Sequence, residues 1–215
     1  MSTPFQEQLQ AARLRLAAKG LLRAGDSVSI RVPGAESYLF TIEPDAGGEV
    51  GFSERPLAGS TIGAAQLHRL VYLARPDVGA ILLNRQRWAA SLPAAGGILP
   101  GIFDEQLRQL GWAVRQIAPA TLFHASRALR GGDNAFGMGE QVLCLGMTLE
   151  RLVFNADLLE KCAKAYVLAM ATGLPVRKIP WVVRWIATGR LRREQKRAAA
   201  SFARGELPTR SSGYK

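Results

Sequence analysis

Residues 67–92 read "LHRLVYLARPDVGAILLNRQRWAASL". With Ala64 just before them, Leu67, Val71 and Ala74 recur on one helical face until Pro76 ends the helix. "VGAILL" then runs apolar without alternation, as a strand buried on both sides does. A helix, a break and a buried strand in quick succession make an α/β unit. Asn84 and Arg85 fall at the strand's end, where a chemical site is expected to begin.

Working outward, the same kinds of segment alternate. Phe5, Leu9, Ala12 and Leu16 have helical spacing, with Gly20 as a stop. "SVSIRV" (27–32) and "YLFTIE" (38–43) alternate like a hairpin around Pro33 and Gly34. Residues 45–60 read as a loop. After the buried strand come a Gly/Pro-rich loop (93–101), a short helix around Phe103 and Leu107, and strands at 113–118 and 141–145. The longest helix is expected from Thr148, a good N-cap, to Gly173. Leu149, Leu152, Val153, Ala156, Leu159, Ala163, Tyr166 and Met170 form its inward face. Strands interleaved with helices predict a layered α/β domain.

Length and composition bound the rest. The chain has 215 residues, enough for a real core, and is 48% hydrophobic. No stretch approaches the roughly 18 uncharged apolar residues of a membrane span. The first residues hold no apolar signal core, so a cytoplasmic protein is expected. Cys144 and Cys162 have no metal-type spacing and read as reduced thiols. Charge is uneven: residues 1–174 carry 17 Lys+Arg against 15 Asp+Glu, residues 175–215 carry 11 against 2. The expected organisation is therefore a nearly neutral domain, 1–174, and a basic C-terminal extension, 175–215.

Taken in order, "LAAKGLLRAGDSVSIRVPG", "LHRLVYLARPDVGAILL", "LPGIFDEQLRQLGWAV" and "LLEKCAKAYVLAMATG" resemble the class II aldolase/adducin family over residues 8–173. The resemblance implies a three-layer α/β/α sandwich with a mainly antiparallel central sheet, commonly in a homotetramer. It also implies a divalent metal, often zinc, that stabilises an enediolate in sugar-phosphate cleavage and related reactions. The ligand pattern departs from that expectation. The family's His-x-His pair falls on Leu83 and Arg85, its later histidine on Glu140, and its acid/base glutamate on Ala64. The family's Gly-Asn before the first strand is here Asp26-Ser27. The whole chain holds two histidines, His68 and His124, so no realignment restores a three-histidine site.

No metal and no other cofactor is therefore expected. Asn84, Arg85, His124 and Glu140 are the cleft candidates, with no catalytic role assigned to any of them. Arg85 and Arg87 read either as solvated loop residues or, for Arg85, as a fixed cation replacing the metal and facing Glu140. His68 reads as a structural histidine. The leading function is an oligomeric binding or scaffolding protein, for which adducin is the family precedent. The competing one is a carbonyl-processing lyase with Arg85 as electrophile. In the extension, Trp181, Val182, Val183, Trp185 and Ile186 precede the basic run Arg190–Arg197. That segment reads as packing between subunits, as contact with an anionic membrane at its inner face, or, least favoured, as a nucleic-acid contact.

Overall fold

The computed structural model describes residues 4–118, 120 and 124–209. Its strands are β1 (Ser27–Val32), β2 (Ser37–Ile42), β3 (Ser53–Pro56), β4 (Ala80–Asn84), β5 (Leu99–Pro100), β6 (Ala113–Gln116), β7 (Ala135–Met138) and β8 (Gln141–Gly146). The helices are α1 (Pro4–Ala18), α2 (Gly63–Ala74), α3 (Asp104–Gln109), α4 (Ala125–Ala128), α5 (Leu149–Ala171) and α6 (Trp181–Ala203). Among the described residues the sheet has eight strands in the order β3-β2-β1-β4-β8-β7-β6-β5. Only β6 and β7 pair in parallel; the other neighbours are antiparallel.

The alternation of side chains along β4 divides the core in two. Ile81 and Leu83 join Val71 and Tyr72 of α2 on one face. Ala80 and Leu82 join Leu9 and Leu16 of α1 and Leu152 and Ala156 of α5 on the other. This is the three-layer sandwich that the family resemblance implies. The α5 cap and the hairpin turn behave as read. The Thr148 hydroxyl accepts from the Arg151 N–H at 3.2 Å, and Gly34 turns the β1–β2 hairpin at φ +74°. The break after α2 is fixed by buried charge. Arg75 donates twice to Asp77 at 2.8 Å and once to the Asp133 carbonyl at 2.8 Å, tying the turn to β7's approach.

Several elements depart from expectation for physical reasons. Met170 is exposed, not inward, because α5 outruns the core beyond Tyr166. Residues 45–60 include β3, a polar edge strand with no buried face to announce it. The strands β5 and β7 are too short for alternation to show. Helix α6 lies within the basic extension and packs on the body. Ala187, Thr188, Leu191, Gln195 and Ala198 form its buried stripe. Gln195 Nε2 donates to the Gly132 carbonyl at 2.6 Å, and Arg151 reaches Glu194 at 2.8 Å.

Candidate functional site

The end of β4 is built by its pairing with β1. Ser27 stands opposite Leu83, so the same register carries Asp26 across from Asn84 and its carboxylate reaches the next residue, Arg85. Asp26, fully buried, accepts from the Arg85 backbone N–H at 3.2 Å and faces the Arg85 guanidinium at 3.5 Å. The guanidinium also donates to the Ala24 carbonyl. The other Asp26 oxygen accepts from the Arg23 N–H at 2.8 Å. Burial pushes the Asp26 pKa above its usual range, while the Arg23 amide and the charge of Arg85 pull it down. Arg85 is thus committed to a buried carboxylate.

Beside this pair, His68 of α2 is fully buried beneath β1. Its Nε2 lies 3.0 Å from the Ser27 hydroxyl and its Nδ1 2.7 Å from the Ser29 hydroxyl, which is 2.8 Å from the Tyr72 hydroxyl. Phe40 meets the ring edge-on at 5.2 Å. Burial drives the His68 pKa down to about 3, so the imidazole is neutral. A serine beside a histidine suggests a nucleophile, but no carboxylate orients this ring and water has no access to it. The cluster holds α2 onto the sheet.

The four cleft candidates do not converge in the chain. The expected Arg85–Glu140 pair is corrected: Arg85 turns toward β1 and Asp26, whereas Glu140 is exposed in the turn on the β8 side. The buried Asp26, two strands away from that turn, outcompetes a solvated carboxylate. Asn84 points to the opposite face and donates from Nδ2 to the Leu21 carbonyl at 2.7 Å. His124 lies with Gln116, Ile117, Ser126 and Arg127 in an open depression of about 590 Å³, whose lining includes neither Arg85 nor Glu140. Sequence reasoning noticed Asp26 only as a departure from Gly-Asn. Its role needed the β1–β4 register, which no single segment reveals.

Among solved structures, an L-fuculose 1-phosphate aldolase matches with a TM-score of 0.70 and 19% identity, covering 89% of this chain and 98% of its own. YgbL from Klebsiella pneumoniae, described as a putative aldolase/epimerase/decarboxylase, matches at 0.68 and 19%, covering 85% and 96%. The fold is that of the class II aldolases. An aldolase II superfamily protein from Pseudomonas syringae matches at 0.65 and 16% over 98% of each chain, so the likeness extends through α6. No protein-family model and no curated protein sequence matches the chain.

The class II aldolase fold and the resemblance together imply a divalent metal, and the residues present do not fit one. Leu83 is packed into the core with Val71 and Tyr72. Arg85 is a cation that already holds Asp26, and it would repel the ion. Ala64 offers no carboxylate, and Glu140 is exposed in its turn. Among the described residues, no three His, Cys, Asp or Glu side chains come together as a ligand set.

Proposed function

We propose that this chain is a binding or scaffolding protein built on the aldolase fold, without metal-dependent aldol chemistry. It works in the cytoplasm as a homo-oligomer, a tetramer by resemblance, and residues 175–215 supply its contact surface for a partner. The observation that carries the reading is the commitment of Arg85 to Asp26 beside the core residue Leu83. Two positions that would have to hold or activate a ligand ion are instead structural. The neutral, sealed His68 supports the same reading, because the chain's second described imidazole, His124, lies in a different depression.

The test uses the substrate named for the similar aldolase. Purified protein is incubated with L-fuculose 1-phosphate, with and without added Zn²⁺, while elemental analysis counts bound metal. No cleavage and no stoichiometric ion are expected. Cleavage that rises with zinc, or one tightly held ion per chain, would overturn the reading. Light scattering showing a monomer at micromolar concentration would remove its oligomeric part.

A further inference from the structure

Helix α6 has two faces that its packing makes independent. The inward stripe sets the helix's rotation, with Leu191 and Ala198 buried and Arg184 stacked over the Trp112 ring at 4.0 Å. Phe202 closes the far end against the Arg31 guanidinium at 5.4 Å. So fixed, the helix turns its largest apolar side chains outward: Trp181 is 69% and Trp185 65% exposed, with Val182 and Ile186 each near half. They do not serve the chain's own core. Such an apolar patch on a basic surface needs an occupant.

The charge around the patch selects the occupant. Arg193, Lys196 and Arg197 lie on the same outward side two to four turns along the helix and are exposed. Among the described residues none of the three has an ion pair, while Glu194 is held by Arg151 and Glu206 by Arg204. The two acids of residues 175–215 are thus already neutralised, and the cations remain. A second copy placed face to face would set these cations against their own kind. Among the described residues no helix is long and apolar enough to cross a membrane, so the apolar patch would enter only the boundary layer. Tryptophans four residues apart followed by a basic run fit the headgroup region of an anionic bilayer, where indoles sit at the acyl boundary and cations meet lipid charge.

We infer that the outward face of α6 docks on an anionic lipid surface, with Trp181 and Trp185 inserted at the interface and Arg193, Lys196 and Arg197 over the headgroups. This rests on reading the chain as a binding protein and names its partner. The helix lies along the surface, and the domain behind it is carried in one orientation set by the buried stripe.

The full chain is sedimented with phosphatidylcholine vesicles, with and without phosphatidylserine, at low and high salt. Co-sedimentation is expected only with phosphatidylserine, and it is reversed by salt. Each neutralised cation lowers binding roughly fivefold, so R193Q/K196Q/R197Q binds about a hundredfold more weakly. W181S/W185S loses at least roughly tenfold, since two large apolar groups no longer leave water. All five side chains are exposed, so neither variant disturbs the fold. Absence of binding to anionic vesicles overturns the inference, as does binding that neither variant weakens. Loss of oligomer mass in W181S/W185S without any vesicle binding would give the face to a second copy instead. Retention on duplex nucleic acid that ignores the tryptophans, again without vesicle binding, would also overturn it. Zinc-dependent cleavage, by contrast, would overturn the reading of the β4 end and leave vesicle binding untouched, so the two fail separately.

Discussion

His68 shows how one residue can be structural and still leave a measurable signature. Its ring is neutral and buried among hydroxyls, with a pKa lowered from 6.5 to about 3. Between those values the unfolded chain binds a proton that the folded chain refuses. Stability is therefore full above pH 6.5 and falls as the pH drops toward 3, by about 1.4 kcal/mol per unit. Denaturant unfolding at pH 7 and pH 5 is expected to show the wild type losing about 2 kcal/mol more than H68Q over that interval. Equal losses would mean that the ring is not sealed from protons. Arg85 and Asp26 provide a second residue-scale prediction. With Arg85 half-exposed and two backbone N–H groups still serving Asp26, R85A should cost about 1 kcal/mol at pH 7. The cost should vanish in acid, once Asp26 is protonated. A double-mutant cycle with D26N should recover most of it as coupling. Additive losses would show that the two side chains do not interact.

Among the elements, legibility followed burial. The segments β1, β2, α2 and α5 were readable because alternation or helical spacing survives in their apolar residues, and β4 because an unbroken apolar run marks a strand buried on both faces. Helix α6 was not, and its inversion explains why. Its buried stripe is mostly small or polar, Ala187, Thr188, Gln195 and Ala198 with Leu191, while Trp181 and Trp185 face outward. Periodicity assigns the large apolar residues to a core, and here they are on the other side. The tertiary reason for small residues is close approach. A Cβ on Gly79 would stand 2.3 Å from the Met147 carbonyl and 2.6 Å from the Phe202 ring, so helix and sheet meet where only glycine fits. The candidate site was legible in a different sense. The loss of ligand types at Leu83, Arg85 and Ala64 could be read directly from residue identity. What replaced them could not, because the Arg85 partner comes from a neighbouring strand through register rather than through spacing.

At the scale of the whole molecule, the uneven charge was plain in the sequence, but charge alone does not say whether a segment belongs to the fold. Residues 175–215 carry 11 Lys+Arg against 2 Asp+Glu and still contribute to the body's packing. Gln195 satisfies the Gly132 carbonyl and the Asn134 side chain, Glu194 holds Arg151, and Phe202 covers Gly79. The partner-facing role proposed for this segment should then be separable by side chain, not by cutting the chain. Removing residues 175–215 exposes the surface that Leu191, Ala198 and Phe202 cover and leaves Arg151 without Glu194. The expected cost is roughly 3 kcal/mol or more, given the area returned to water and the polar groups left unpaired. W181S/W185S, which alters only the outward face, should stay within about 0.5 kcal/mol of the parent. Urea unfolding of the three proteins compares them directly. A truncated chain with the parent's midpoint would make α6 an appendage that the body does not need. A destabilised W181S/W185S would mean that the tryptophans support the fold after all. If truncation alone destabilises, the basic segment is a structural part of the domain whose outer face is left free for a partner.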